Sequence, residues 1–229
     1  MKRQYAVVLC LISILALGCN KTKDSTPANI AHVQFLNGCV ATGDVYVADS
    51  LKTLSGVRGL DYDTATGYLS LAAGAERMMV YINSFGNARP LQTASTTFYA
   101  NNYYSVFAGG IITNPSFFVT DDDLSAPAQG MAKIRFVNLS ADTLSETVIV
   151  GSNLLEVHVN TATCTPYHTV IAGKYVIKTY DPAKAGTTDS LLPHTYLADS
   201  IYTVALTGRG VDSLDYPRHL TLFLNDPNK

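Results

Sequence analysis

Hydrophobic and polar residues alternate in short runs along most of this chain, and the same runs occur twice. The stretch AHVQFLN at 31–37 is matched by AKIRFVN at 132–138, with apolar residues at every second position. A period of two is typical of a strand that buries one face and exposes the other. We therefore predict two half-buried strands. The polar residues predicted to face solvent are His32, Gln34, Lys133 and Arg135.

Two further pairs of stretches match in the same way. TGYLSLAAGAERMMVY at 66–81 and TPYHTVIAGKYVIKTY at 165–180 each place an Ala-Gly pair between two apolar runs, which predicts a hairpin turn in each. YANNYYSVFAGG at 99–110 aligns with LADSIYTVALTG at 197–208. Their shared Ala, Tyr and Val resemble the tyrosine corner of immunoglobulin-like sandwiches, in which the Tyr hydroxyl binds backbone.

The matched stretches lie about 100 residues apart, so the sequence predicts two copies of one unit. Strand patterns recur about every 10 residues and a sustained helical period is missing, which favours a sandwich. We predict an all-β protein of two tandem immunoglobulin-like antiparallel β-sandwich domains. The predicted domains are 31–124 and 131–229, joined by a linker at 125–130 that contains Pro127 and Gly130.

The first 18 residues have the pattern of an export signal, with Lys2 and Arg3 before an apolar run that is too short to span a bilayer. ALGC at 16–19 resembles the bacterial lipobox, which implies cleavage before Cys19 and lipidation of its thiol. Residues 19–30 are polar and predict a tether. The expected location is the outer membrane, on its periplasmic face or at the cell surface. The alternative is a plain secretory signal with an incidental cysteine.

Together these motifs resemble the family of the domain of unknown function 4397. The matching stretches are AHVQFLN, AKIRFVN, GYLSLAAG, IYTVALTG and DDDLSAPAQGMAKIRFVN, and two copies would cover nearly all of 31–229. The second copy has Pro166 where the first has Gly67. The resemblance implies β-sandwich modules on lipoproteins of the Bacteroidetes type, and it supplies neither catalytic residues nor a cofactor.

Composition and motifs argue against several classes of function. A net charge of −2 gives no electrostatic attraction to nucleic acid. The sequence has none of the common hydrolase, zinc-protease, C-x-x-C or phosphate-loop motifs. Weaker alternatives are zinc at His158 and His168, calcium at 121–123, and paired carboxylates from the three Glu. The expectation is a non-enzymatic protein with neither metal nor cofactor, and with 121–123 a solvated strand end.

Four cysteines have different expected fates. Cys10 leaves with the signal and Cys19 carries the lipid, whereas Cys39 and Cys164 remain, one in each half. In an oxidising compartment these two could form a disulfide between the halves. The other interpretation is two unpaired core residues, and the sequence leaves both open.

Asp followed by Ser or Thr and then by an apolar residue or Thr occurs more often than composition predicts. This triplet resembles the O-glycosylation acceptor of exported Bacteroidetes proteins. It also suits turns, where these side chains bind nearby backbone, and the two interpretations stand side by side. The candidate acceptors are Ser25, Ser50, Thr64, Thr143, Ser190, Ser200 and Ser213.

The function expected from these features is a lipid-anchored envelope protein whose modules serve binding, adhesion or spacing. Its partners would be the membrane, through the lipid, and an unidentified protein or glycan. The alternative is a carbohydrate-binding lipoprotein of a glycan-uptake system, for which outward Tyr81, Tyr103 and Tyr180 could stack on sugars. A hydrolase is the third class, and it would need titratable groups that converge in a pocket.

Overall fold

The computed structural model describes residues 29–40, 44–49, 52–53, 59–84, 87–142, 145–183, 188–210 and 216–227. Several predicted features lie outside these residues: the signal segment, Cys19, most of the tether, and the acceptors Ser25, Ser50, Thr143 and Ser213. In the described part of the chain, no helix has the length and apolar character needed to cross a membrane.

All regular structure in the described residues is β-strand, so the all-β prediction is confirmed. The first half contains β1 (Ile30–Asn37), β2 (Asp44–Asp49), β3 (Lys52–Thr53), β4 (Thr64–Ala65), β5 (Leu69–Ala72), β6 (Gly74–Ser84), β7 (Asn87–Phe98), β8 (Tyr103–Ile111) and β9 (Asn114–Asp121). The second half contains β10 (Met131–Asn138), β11 (Ser145–Val150), β12 (Leu155–Asn160), β13 (Thr163–Cys164), β14 (His168–Ile171), β15 (Gly173–Tyr180), β16 (Thr188–Tyr196), β17 (Ile201–Thr207) and β18 (His219–Leu224).

Each half forms two sheets, and the strand order is the same in both halves. Sheet A has the order β4-β1-β8-β9 with β5 also on β1, and sheet C has β13-β10-β17-β18 with β14 also on β10. Sheet B has the order β3-β2-β6-β7, and sheet D has β12-β11-β15-β16. The strands pair antiparallel with one exception in each half, since β1 runs parallel to β8 and β10 parallel to β17.

The two predicted hairpins are wrong. β5 pairs with β1 in sheet A, whereas β6 pairs with β2 and β7 in sheet B. The Ala73-Gly74 step therefore carries the chain from one sheet to the other, and the step before β15 does the same in the second half. The Ala73 N–H donates to the Asn29 carbonyl at 2.8 Å, and the Ala172 N–H donates to the Gly130 carbonyl at 2.9 Å.

Each half closes its own apolar interior between its two sheets. Sheets A and B meet around Val33, Phe35, Met78, Phe98 and Val106. Sheets C and D meet around Ile134, Phe136, Val148, Ile177 and Val204. Val33, Phe35, Ile134 and Phe136 are the alternate apolar positions of the repeated run at 31–37 and 132–138, as the sequence predicts.

The predicted tyrosine corner is confirmed in both halves. The buried hydroxyl of Tyr104 accepts the backbone N–H of Tyr99 at 2.8 Å. The hydroxyl of Tyr202 accepts the N–H of Leu197 at 3.0 Å in the same way. Each bond satisfies a backbone donor at the bend that leads into β8 or β17, and so fixes the start of that strand.

Candidate functional site at the junction of the two halves

The outward face of β1 and β10 is buried at Gln34 and Arg135, which corrects the half-buried prediction for these two residues, whereas His32 and Lys133 are partly exposed. Gln34 is only 4% exposed and Arg135 only 1% exposed. The cause is that sheet A of the first half packs face to face with sheet C of the second half. A third apolar interior lies between them, formed by Leu36, Phe107, Val137, Leu139 and Ala205. The sheets are therefore stacked in the order B, A, C, D.

Leu139 is the residue around which the apolar part of this junction packs. A Cβ on Gly38 would lie 2.9 Å from Leu139 Cδ1, and one on Gly109 would lie 2.9 Å from Leu139 Cβ. The two glycines therefore leave the space that the fully buried leucine fills. The Gly110 N–H also donates to the Leu139 carbonyl at 2.9 Å, which joins the backbones of the two halves.

The polar part of the junction is a buried hydrogen-bond network centred on Arg135. Its guanidinium Nη1 donates to the Asp122 carboxylate at 2.5 Å and its Nη2 donates to Ser105 Oγ at 2.6 Å. Its Nε donates to Thr203 Oγ1 at 2.8 Å. Ser105 Oγ in turn donates to the second Asp122 oxygen at 2.6 Å and accepts Gln34 Nε2 at 2.7 Å. The guanidinium of the second half is thereby satisfied by Asp122 and Ser105 of the first half and by Thr203 of its own half.

Equivalent positions of the two copies build this network with different residues. Gln34 in β1 corresponds to Arg135 in β10, and Ser105 in β8 corresponds to Thr203 in β17. Asp122 and Asn225 correspond in the same way, because each N–H donates to the carbonyl of the first residue of β8 or β17. Thr203 Oγ1 donates to Asn225 Oδ1 at 2.7 Å, as Ser105 does to Asp122.

Two tyrosines close the network. The Tyr68 hydroxyl donates to Asp122 at 2.6 Å and accepts Asn225 Nδ2 at 3.2 Å. Burial and the neighbouring Asp122 charge raise the pKa of Tyr68, so the hydroxyl stays protonated and remains a donor. The Tyr167 ring lies 4.6 Å from the Arg135 guanidinium carbon. Burial raises the pKa of the Tyr167 hydroxyl as well.

The Arg135 charge is maintained inside this low-dielectric junction. Burial by itself would lower the pKa of Arg135, but the charge of Asp122 outweighs burial and the pKa is raised overall. The side chains of the pair are 2% and 0% exposed. Charge is therefore neutralised within the junction rather than presented to a ligand.

A second polar contact joins the halves at the other end of the junction. Asp63 has a φ of 62° and accepts His219 Nε2 at 2.8 Å, the Thr221 hydroxyl at short range and the Thr207 hydroxyl at 3.2 Å. Burial alone would raise the pKa of Asp63, but the bonds from His219 and Thr221 outweigh burial and lower it. The aspartate therefore stays ionised and holds the turn before β4 against β18.

The three aspartates at 121–123 do not converge on one point. Asp122 turns inward to Arg135, so the predicted solvated strand end is wrong for this residue. Asp123 is exposed and accepts Lys133 Nζ at 2.8 Å, and this bond, with that from Ser125, lowers its pKa to about 2. Within the described residues, no three His, Cys, Asp or Glu side chains form a group able to hold a metal ion.

The other candidate residues for chemistry also lie apart. His158 is on β12 of sheet D, with a ring nitrogen 2.8 Å from the Thr147 hydroxyl, whereas His168 is on β14 of sheet C. Glu146 is buried and accepts Arg218 at 3.0 Å, which is a second buried ion pair. Neither the zinc pair nor the paired carboxylates come together in the described residues.

Cys39 and Cys164 are free thiols in different interiors. Cys39 packs between sheets A and B, and Cys164 lies beside the junction of A and C. Burial raises the pKa of Cys39 to about 12 and that of Cys164 to about 11, so both remain protonated thiols near neutral pH.

Two hollows open at the edge of the junction. One, of about 320 Å³, is lined by Asn101, Asn102, Tyr103 and residues 121–124. The other, of about 420 Å³, is lined by Thr120, Arg135, Tyr167 and neighbouring residues on both halves. Tyr103 is the predicted outward tyrosine that reaches a hollow, and its ring stacks on His32 at 4.7 Å. Tyr180 is half-buried, and the side chain of Tyr81 lies outside the described part.

Three of the seven candidate acceptor positions are described. The Thr64 hydroxyl donates to the Asp61 carbonyl at 2.6 Å, and the Ser200 hydroxyl lies 3.4 Å from the Ala198 carbonyl. Ser190 is exposed on β16. Thr64 and Ser200 thus make the local backbone bonds of the turn interpretation, and glycosylation stays a prediction.

Sequence reasoning missed Arg135, Asp122 and Ser105 as a cluster. A signal was present in β8, where Val106, Phe107 and Ala108 are apolar on both faces. A strand without alternation is typical of burial on both sides. That pattern indicates that sheet A is covered on its outer face too.

A family model described as a domain of unknown function (DUF4397) matches residues 31–145, about half of the 229 residues. No curated protein is significantly similar to the chain. Among solved structures, a match is a "putative cell adhesion protein" from Bacteroides uniformis, with 11% identity, a TM-score of 0.30, and coverage of 87% of this chain and 99% of that one. At this level the match bears on neither fold nor function.

Proposed function

Because this chain belongs to the family of the domain of unknown function DUF4397, whose description assigns no activity, we propose a role from its own geometry. The protein is a non-enzymatic cell-envelope protein, anchored through a lipid on Cys19, in which two β-sandwich modules act as one rigid body for binding, adhesion or spacing. The observation that carries this proposal is the buried junction between sheets A and C.

Rigidity is what the junction adds to a pair of modules. Domains joined only by a short linker normally move relative to one another. Here the halves share the Leu139 contact, the Arg135–Asp122 pair and the Asp63–His219 contact. Loops carried by such a body keep fixed distances and directions, which suits a spacer or a binding scaffold.

The charges at the junction support a structural role over a chemical one. Arg135 and Asp122 neutralise each other out of contact with solvent, and Asp63 is engaged by His219. A catalytic acid or base needs a titratable group that faces a substrate. These groups face each other, so the proposal includes no catalytic step and no cofactor.

Metabolic labelling tests the anchor directly. Cells expressing the full chain are grown with labelled palmitate, beside cells expressing Cys19→Ala. We expect label on the native chain and in the membrane fraction, with neither for the variant. Cys10→Ala is the matched control, since it lies within the predicted signal and should leave labelling unchanged. A native chain without label would refute the lipid anchor.

Glycan binding is the second candidate, and the hollow beside Tyr103 favours it. The hollow combines an aromatic ring with Asn101, Asn102 and Asp121. Amides and carboxylates bind sugar hydroxyls, and an aromatic ring offers a stacking surface. A glycan array probed with the native chain and with Tyr103→Ala tests this function. Binding that the variant loses would support it, and an array without any signal would remove it.

A further inference from the structure

The large apolar side chains that are exposed among the residues of described burial gather at one end of the fold. Five large apolar residues are exposed in the part of the chain whose burial is described. We call them the tether face, because the predicted N-terminal tether enters the fold beside them. They are Tyr99, Leu154, Ile171, Leu197 and Leu224. Isolated apolar residues on a surface need no explanation, but a shared location does.

In the first half, Tyr99 lies beside the beginning of β1. It belongs to the turn before β8, and β8 runs parallel to β1 with Tyr103 opposite His32. Asn101, in the same turn, donates its N–H to the Ile30 carbonyl at 2.7 Å. Tyr99 is 66% exposed at this position.

In the second half, the tether face lies around the beginning of β10. Ile171 pairs with Met131, the first residue of that strand. Leu197 is in the turn in which Asp199 donates its N–H to the Met131 carbonyl at 2.9 Å. Leu224 pairs with Tyr202 at the start of β17. Leu154 is in the β11–β12 turn, where Gly151 bonds the Val176 carbonyl near the start of β15.

The beginnings of β1 and β10 lie at the same end of the stack. At the far end of these strands, a Cβ on Gly38 would lie 2.8 Å from Thr207 Cγ2, so the ends of β1 and β17 meet. Since β17 is parallel to β10, β1 and β10 run in the same general direction. The tether face of both halves is therefore one surface.

The N-terminal segment enters the fold at this surface. Ile30 begins β1, and ten residues separate it from Cys19. Ten residues span at most about 35 Å when fully extended. If Cys19 carries a lipid, the surface nearest the bilayer is the one where β1 begins.

We propose that the tether face rests on the membrane surface, with Tyr99 and Leu197 inserted into the lipid interface. The inference rests on the proposed lipid anchor at Cys19. Tyrosine is enriched at the level of lipid headgroups, and leucine partitions into the adjoining acyl region. Exposed Asp121, Asp123 and Asp199 lie at the same end, so the expected lipid is zwitterionic rather than anionic.

The chain contains no Trp, so a single introduced Trp reports one position. The experiment uses full-length acylated Tyr99→Trp and Leu197→Trp, reconstituted into phosphatidylcholine vesicles with and without brominated acyl chains. Thr113→Trp is the matched control, because it is exposed in the β8–β9 turn at the opposite end. The nine residues of β8 place it about 30 Å from the tether face.

We expect emission from Trp at 99 and at 197 to shift to shorter wavelength on vesicles. Brominated lipid should quench both by about twofold, since insertion reaches the acyl boundary at about 5–10 Å. The control should not change. Chains that cosediment with vesicles but show equal, unquenched emission at all three positions would overturn the membrane contact and leave the anchor intact.

Two other results separate the inference from the anchor. A native chain that neither incorporates palmitate nor cosediments would remove the anchor, and this inference with it. Emission at 99 and 197 that responds to a soluble polysaccharide, and not to vesicles, would overturn the membrane contact and assign the face to a glycan.

Discussion

Replacing Arg135 with Gln removes the cation from the junction and leaves its surroundings intact. Gln is the residue that the first copy carries at the equivalent position, Gln34, so the side chain suits this strand. In the variant, the Asp122 carboxylate loses its ion pair while it stays fully buried. It keeps the hydroxyls of Tyr68 and Ser105 as donors.

Removing one partner from a buried ion pair costs about 3–5 kcal/mol, because the other charge stays desolvated. For a chain of this length that corresponds to a fall in Tm of about 6–20 °C. The Lys133–Asp123 pair, in which the carboxylate is exposed to solvent, gives the matched control. Lys133→Gln in the same strand should cost at most about 1 kcal/mol.

A second substitution tests whether the charge is the cause. Asp122→Asn introduces the residue that the second copy carries at the equivalent position, Asn225. By itself it leaves Arg135 buried without a counter-charge and should destabilise by about 3–5 kcal/mol. The double variant has amides in both places, and we expect a coupling free energy of about 2–3 kcal/mol in favour of the pair.

Urea unfolding followed by far-ultraviolet circular dichroism gives the free energy of unfolding for all four proteins of the cycle. The reasoning fails if the two single changes add to within about 0.5 kcal/mol, because residues that do not interact behave in that way. It also fails if Arg135→Gln unfolds at the urea concentration of Lys133→Gln.

Three further predictions concern other parts of the fold. Leu139→Ala should lower the free energy of unfolding by about 2–5 kcal/mol in a urea titration, because the cavity at the junction cannot collapse onto glycines. Tyr104→Phe and Tyr202→Phe should each cost about 1–3 kcal/mol by the same measurement, since each leaves a corner N–H without its acceptor. A loss of stability from only one of these two substitutions would contradict the equivalence of the two corners. Asp63 has a lowered pKa, so its contribution to stability is present above its ordinary value of 3.8 and is lost as pH falls below it. Asp63→Asn tolerates the positive φ and should flatten the acid limb of a curve of stability against pH.

Features set by a few neighbouring residues could be predicted from the sequence. The alternation in 31–37 and 132–138 identified the apolar interior of each half, because a period of two fixes which side chains share a face. The tyrosine corner was also predictable, since Tyr104 bonds a backbone group only five residues away. Both depend on local geometry, which sequence records directly.

Features set by distant parts of the chain could not be predicted in this way. Alternation shows that Gln34 and Arg135 each point away from the interior of their own half, but it does not show what lies opposite them. The Ala-Gly pairs mark a break between two strands, but strand partners are chosen by packing, and here the chain changes sheets. Cys19 and most of the candidate acceptors lie outside the described residues, so lipidation and glycosylation stay predictions.

The different residues at equivalent positions have a consequence for which surfaces can pair. Two copies of the first-half face would bury two Asp122 carboxylates with Gln34 in place of each cation, and two copies of the second-half face would bury two Arg135 cations with Asn225 in place of each carboxylate. Only the mixed pairing brings Asp122 to Arg135, as observed at 2.5 Å. Buried like charges cost several kcal/mol, so the exchange of Gln for Arg and of Asn for Asp discriminates against pairing of like faces. A duplicated unit could otherwise associate with copies of itself. The asymmetric charges direct each first half to a second half, and the linker makes the one in its own chain the nearest partner.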